Sequence, residues 1–425
     1  MRKCVFSFFI WGFVCLPKAF GETYESKHFA IYSDLAPRYV QVIQANAEAY
    51  YTSIQQRYFR KSGGKRVKIY FSETQSETFQ LLRTHGRKSK ANRSVYVPVT
   101  GSIYTHRLTK GGGNIEMGVL FHEITHHLVR SNFKDPPVWF NEGLACFLGG
   151  ETVVVKGEAK FGRPEPPLEI DLKERIEKGI RPNLKRLFPM TQKELYSWPI
   201  GYNFSRALFY WLHEIGKLEE YLQNVEGDGY DISILEKTVN KPVNEINKEL
   251  LEFIQKYCYA GAYVYQGQRV RSSAKKKEMF AKAVELLPDY GKGLIELGLC
   301  YYREKDYESC RKYMSRILEE PDSSEYMNAA IYAGRCYYDE KDYPKALEYF
   351  HKALGYSKYD ERGYKICYWV ANCYHYMKDH ARAKEFYKMF LDNNWEPEEM
   401  DEQVKYAENY QKREVSKSEN KPEAN

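Results

Sequence analysis

His122-Glu123-Ile124-Thr125-His126 sets two imidazoles four residues apart, with a carboxylate beside the first. On a helix, positions i and i+4 share a face, so His122 and His126 can converge on one cation. Glu123 is one step round from His122. It borders such an ion without having to bind it, which is where a general base for water must sit. Glu142 follows sixteen residues after His126, inside Trp139-Phe140-Asn141-Glu142-Gly143-Leu144-Ala145. A carboxylate from a nearby second helix completes a ligand set of His122, His126 and Glu142 for one Zn2+, with a fourth position open to water. The chemistry expected is hydrolysis of a peptide bond, with Glu123 taking a proton from water and returning it to the leaving amine.

These residues need particular elements to hold them. Gly111-Gly112-Gly113 forms a lead-in, Asn114 is the expected N-cap and Glu116 lies in the positive first turn of the helix that carries the histidine pair. Ser131-Asn132 and then Asp135-Pro136-Pro137 end that helix. His127 is rotated off the ligand face, toward the surface or behind the ligands. Upstream, residues 29–32 and 67–71 read as strands, and residues 39–59 and 76–83 as helices. Residues 94–99 and 102–106 read as a hairpin turning near Thr100-Gly101, and residues 153–161 as a second one around Gly157. A helical stretch then runs through residue 225.

The segments HEITHHL and PPVWFNEGLACFL together resemble the gluzincin group of metallopeptidases, to which thermolysin belongs, and more closely the peptidase MA-like domains of secreted bacterial proteins. HFAIYSD from residue 28, VKIYF from residue 67 and GYNFSRALFYWLHE from residue 201 share that likeness, which spans roughly residues 25–225. The resemblance implies an α+β zincin-like metallopeptidase domain. It also implies an edge strand beside the active helix that pairs with extended substrate, here assigned to the first hairpin. A Tyr or His after the ligand Glu should serve as an extra transition-state donor, for which Tyr202 is the first choice, ahead of Tyr196 and His213. The chain departs from the pattern where Cys146 occupies a position that commonly holds a polar partner for a ligand His.

Leu297-Gly298, Ala333-Gly334 and Val370-Ala371 begin one pattern that recurs at about 36-residue intervals. Each start is followed by a tyrosine (Tyr301, Tyr337, Tyr374), then a small residue (Cys310, Ala346, Ala383), then a large one (Met314, Phe350, Tyr387). The pattern resembles the tetratricopeptide repeat, and implies an all-α solenoid whose concave face binds a protein partner. Tyr302, Tyr338 and His375 are its expected lining. The division expected is a signal peptide over residues 1–21, a peptidase domain over 22–255 and repeats over 256–395. A capping helix over 396–411 and a disordered tail over 412–425 follow.

Composition bounds the partners. Cleavage after Gly21 would remove Arg2, Lys3 and Lys18 and lower the net charge from +7 to +4, too mild to call for nucleic acid. The basic Met1-Arg2-Lys3, an apolar run of residues 4–16 and Ala19-Phe20-Gly21 read as an export signal, placing the protein in the periplasm or outside the cell without stable membrane insertion. Cys300, Cys336 and Cys373 recur at one repeat position and read as small packing residues, with one disulfide among Cys258, Cys310 and Cys367 left open. Two functions follow. One is an exported zinc peptidase, most simply an endopeptidase, acting on a protein or peptide substrate recruited by the repeats. The other is a degenerate metal-binding domain that serves with the repeats as a scaffold.

Overall fold

Along residues 67–72, side chains alternate between two environments. Val67, Ile69 and Phe71 join one large core, while Tyr70 faces a smaller cluster on the other side. The computed structural model describes residues 22–61, 64–84, 94–106, 109–110, 114–115, 117–150, 152–155, 157–160, 166–321, 323, 325–356, 363–392 and 401–419. The expected signal peptide, the Gly111–Gly113 lead-in, Glu116, residues 396–400 of the expected cap and the final six residues lie outside them.

The first half begins with β1 (Glu22–Glu25), β2 (Phe29–Ser33), α1 (Pro37–Tyr58), β3 (Val67–Ser72), α2 (Gln75–Thr84), β4 (Val95–Val97) and β5 (Ser102–His106). The sheet order is β1-β2-β3-β5-β4, with the three central strands parallel and both edge strands antiparallel. Ile31, Ile69 and Ile103 stand in register across the centre and face the main core. Tyr32, Tyr70 and Tyr104 stack across the opposite face, with ring centroids 5.1 and 4.9 Å apart. The expected hairpin is present as β4–β5, and Gly101 adopts φ +61° in its turn.

Next come β6 (Thr109–Lys110), β7 (Asn114–Ile115), α3 (Met117–Asn132) and α4 (Val138–Gly149). Asn114 is therefore not the N-cap of the motif helix, and neither it nor Ile115 belongs to that helix. A two-residue antiparallel ladder with Thr109-Lys110 holds both in extended backbone, and α3 starts at Met117. α3 is fixed by α1: the Tyr50 ring stacks on Phe121 at 4.1 Å and its hydroxyl hydrogen-bonds with Thr125 Oγ1 at 2.7 Å. The sequence of α4 is almost wholly apolar, and the helix is buried nearly all round.

Glycines set how closely these helices approach. A Cβ on Gly149 of α4 would lie 2.6 Å from His122 Cα, and one on Gly118 of α3 would lie 2.5 Å from the Gly150 carbonyl oxygen. The chain continues through β8 (Val153–Val155), β9 (Glu158–Lys160), α5 (Pro166–Glu177), α6 (Leu184–Leu187), α7 (Gln192–Ser197), α8 (Gly201–Glu214), α9 (Leu218–Asp228) and α10 (Ile232–Val239). Trp139 of α4 anchors this layer by donating its indole N–H to the Phe188 carbonyl at 3.0 Å.

The boundary expected between residues 255 and 256 falls inside one continuous helix, α11 (Val243–Arg269). Val243, Ile246, Leu250 and Ile254 belong to the first core, whereas Ala260 and Val264 belong to the next. Tyr257 and Tyr259 tie α11 back by donating hydrogen bonds to Glu214 and Glu177 at 2.8 and 2.9 Å. The two halves therefore share a helix.

Helix pairs follow: α12 (Ser273–Leu286), α13 (Gly291–Arg303) with α14 (Tyr307–Leu318), α15 (Tyr326–Asp339) with α16 (Tyr343–Leu354), and α17 (Gly363–Tyr376) with α18 (His380–Asp392). The small-to-large contacts appear as the repeat pattern requires. Gly298 faces Met314, and a Cβ on Gly334 would lie 2.8 Å from the Phe350 ring. Each hairpin turns on a lysine with positive φ (Lys305, Lys341 and Lys378), followed by an aspartate whose side chain accepts from the backbone N–H three residues on. The last helix, α19 (Asp401–Glu419), continues past residue 411, so residues 412–419 are helical rather than disordered. Their sequence has two Lys, one Arg and two Glu among eight residues and no Gly or Pro, which is compatible with a helix. Cys300, Cys310, Cys336, Cys367 and Cys373 are buried free thiols, so no disulfide joins Cys310 to Cys367.

Gly149→Ala is expected to destabilise the fold by about 1–3 kcal/mol through overpacking against His122. Gly227→Ala in α9, where a Cβ meets nothing within 4 Å, should stabilise it by up to about 1 kcal/mol. Urea unfolding of both variants checks the pair, and equal effects would contradict this packing.

Candidate metal centre

α4 supplies four residues to the site from one stripe: Asn141, Glu142, Ala145 and Cys146, spaced i, i+1, i+4 and i+5. α3 supplies His122, Glu123 and His126. The close crossing at Gly149 brings the two stripes together.

The donor atoms of His122, His126 and Glu142 all lie within 4.8 Å of one another. His122 Nε2 and His126 Nε2 are 3.0 Å apart, and Glu142 Oε2 is 3.8 Å from each. Tetrahedral zinc bonds of about 2.0–2.1 Å put ligand atoms roughly 3.3 Å apart. The three atoms thus have nearly the spacing that one such ion imposes.

The hydrogen bonds on the far sides of the rings make the same point. His126 Nδ1–H donates to Asn141 Oδ1 at 3.0 Å. His122 hydrogen-bonds with the Ala145 backbone, and its Nδ1 lies 3.7 Å from Cys146 Sγ. Each ring turns its Nε2 toward the other ring and toward the Glu142 carboxylate. Three atoms of the kind that bind zinc converge there. Burial, and then the neighbouring His126, push the pKa of His122 well below the usual imidazole range, so it is neutral and ready to ligate. The donor set therefore fits a divalent ion of the zinc class.

Glu123 sits beside this cluster and is buried. Its Oε2 accepts the Tyr96 backbone N–H from β4 at 2.6 Å. Burial raises its carboxyl to about 7 against the opposing pull of His126 and the Tyr96 amide. β4 is an edge strand beside the motif helix, as expected for the first hairpin, but the amide of Tyr96 is taken by Glu123. His127 is not on the surface: it is buried, Tyr96 OH lies 3.3 Å from its Nδ1, and burial lowers its pKa to about 4.

The three donor candidates separate. Tyr202 of α8 directs its phenol to the Cys146 thiol, close enough to Glu142 to feel its charge, and burial pushes its pKa well above the usual range. Tyr196 of α7 hydrogen-bonds to Glu142 itself, and burial together with that carboxylate raises it to about 12. Its side chain is also exposed, at 54%. His213 lies elsewhere, near Tyr58 OH at 3.3 Å and against the Phe147 ring. Sequence reasoning missed Asn141 as the residue orienting His126, although it stands immediately before Glu142.

On the repeats, Tyr302, Tyr338 and His375 are half-buried, and their rings pack on Tyr332 of α15, Trp369 of α17 and Tyr410 of the last helix, α19, respectively. They join successive units as well as facing outward.

The tetratricopeptide repeat family matches residues 294–323, the α13–α14 pair. No curated protein matches the chain. The C-terminal part is thus a tetratricopeptide-type helical repeat, a class of fold that generally mediates protein interactions.

Since Glu123 is protonated more readily in the fold (about 7) than at its ordinary value of 4.5, its stabilising contribution is complete below about pH 4.5 and is lost as pH rises to about 7. In metal-free protein, the stability gained by Glu123→Gln over wild type should grow by roughly 3 kcal/mol between pH 4.5 and pH 8. Urea unfolding across that range reads the difference, and parallel curves for the two proteins would contradict the assignment.

Proposed function

We propose that this chain is an exported zinc-dependent peptidase of gluzincin type, with an α+β zincin-like catalytic unit whose repeats recruit a protein substrate or partner. One observation carries the reading: the possible ligand atoms of His122, His126 and Glu142 converge while a buried carboxylate, Glu123, stands beside them without joining them. A purely structural metal site has no use for that fourth group.

A bound ion of this class supplies a Lewis acid and lowers the pKa of water to about 7. His122 and His126 hold their Nε2 atoms in place through Ala145 and Asn141. Glu123 takes a proton from water as its oxygen adds to the peptide carbonyl carbon, then delivers that proton to the departing nitrogen as the C–N bond breaks. The Tyr96 amide holds Glu123 Oε2, which aims the carboxylate for both transfers. Tyr196, reaching Glu142 from the exposed α7, donates its phenol hydrogen to the oxyanion. Tyr202, set behind it on Cys146, positions that thiol beside His122.

The test is mass-spectrometric profiling of a diverse peptide library. Zinc-loaded wild type should cleave it, and Glu123→Gln should retain zinc but lose about 10²–10⁴-fold in rate. Tyr196→Phe should lower kcat by about 10²-fold, and Tyr202→Phe much less. Equal rates for wild type and Glu123→Gln, or no cleavage by either, would sink the peptidase reading in favour of the scaffold.

A further inference from the structure

The packing of α14 on α15 sets two thiols against each other. Cys310 of α14 and Cys336 of α15 are both fully buried, and both belong to the apolar cluster that holds Leu294, Met314 and Ala329. The Cys336 thiol donates a hydrogen bond to Cys310 across that contact. Both are free thiols in the structure.

The sequence makes this pairing specific to one contact. Cys300, Cys336 and Cys373 recur at one position of the first helices, but the second-helix position of Cys310 holds Ala346 and Ala383 in the units that follow. Where α16 meets α17, the same two positions are therefore Ala346 and Cys373, with one thiol between them. A buried cysteine by itself packs as a small apolar residue. A second cysteine opposite it, where alanine serves the neighbouring units, adds chemistry that packing does not require.

The two thiols are not equivalent. The hydrogen bond from Cys336 lowers the pKa of Cys310 against the effect of burial, and Arg311 adds to the lowering. The same hydrogen bond, and then burial, push Cys336 up. Burial also pushes Cys300 up and raises Cys373 to about 12. Cys310 is thus the better nucleophile of the pair.

We propose that Cys310 and Cys336 are a thiol pair that a low-molecular-weight disulfide oxidises, joining two successive repeat units covalently. The Cys310 thiolate attacks one sulfur of the donor; the donor S–S bond breaks and its other half leaves as a thiolate that takes up a proton. Cys336 then loses its proton and attacks Cys310 Sγ, and the second half of the donor leaves in the same way. Two protein thiols become one disulfide, and the donor, gaining two electrons and two protons, becomes two thiols. Both protein sulfurs are buried, so exchange runs through opening of the α14–α15 contact. In a linear array each unit touches only its neighbours, which lets one contact open while the cores on either side stay folded. The pair stands on the repeats and is independent of whether α3 and α4 hydrolyse anything.

The experiment holds the folded full chain in glutathione buffers of rising oxidised-to-reduced ratio. Samples are alkylated in denaturant, digested and read by mass spectrometry. A Cys310–Cys336 linkage should form, with loss of two hydrogen atoms per chain, while Cys300, Cys367 and Cys373 are alkylated. Amide hydrogen exchange in α14 and α15 should slow on oxidation and recover on reduction. Cys310→Ala copies the residue that the following units carry there, so it should fold and leave Cys336 unlinked. Cys336→Ala should trap glutathione on Cys310, because the resolving thiol is gone. Cys310 and Cys336 alkylated at every ratio, a linkage that forms only in denaturant, or Cys336 linked to another cysteine in Cys310→Ala would overturn the pair. Glutathione trapped on Cys336 of Cys310→Ala, and not on Cys310 of Cys336→Ala, would overturn the order of attack.

Discussion

Two imidazole Nε2 atoms 3.0 Å apart, both facing one carboxylate, are the constraint on which the first half of the molecule turns. The fold works to impose that arrangement. Gly149 lets α4 lie against the backbone of His122, and Gly143 lets the other side of α4 approach the Ser205 carbonyl of α8, where a Cβ would be 2.8 Å away. Asn141 and the Ala145 backbone hold the two rings by hydrogen bonds.

The sheet and the repeats serve that centre in different ways. The three parallel strands carry β4 to the side of α3, where one backbone amide meets Glu123. The core under them, from Ile31 to Leu128, holds α3 through Tyr50 and Phe121. The repeats are joined through α11, which contributes apolar residues to both cores. A shared helix of this length couples the orientation of the repeat surface to the first half of the chain more firmly than a loop would. No helix among the described residues is long and apolar enough to cross a membrane.

Much of this was legible in the residues. The His122–His126 spacing, the WFNEGLA segment, the alternating strands and the tetratricopeptide pattern all rest on periodicities of 2, 3.6 and about 36, which survive in a single sequence. What was not legible depended on partners distant in the chain. Asn114 has the chemistry of an N-cap, but pairing with Thr109-Lys110 takes it into a ladder. Asn141 is an unremarkable polar residue until α4 is docked on α3. Residue 255 looks like a boundary because the pattern changes there, yet a helix can change which core it feeds without breaking.

X-ray absorption at the zinc edge of the loaded full chain is the most direct test of the central claim. One zinc per chain is expected, with two imidazole nitrogens and oxygen at about 2.0–2.1 Å, four light scatterers in all and none of them sulfur. A sulfur at about 2.3 Å would draw Cys146 into the shell and mark a closed structural site. Zinc that fails to bind in a one-to-one ratio would leave the convergence of His122, His126 and Glu142 without a cation to explain it.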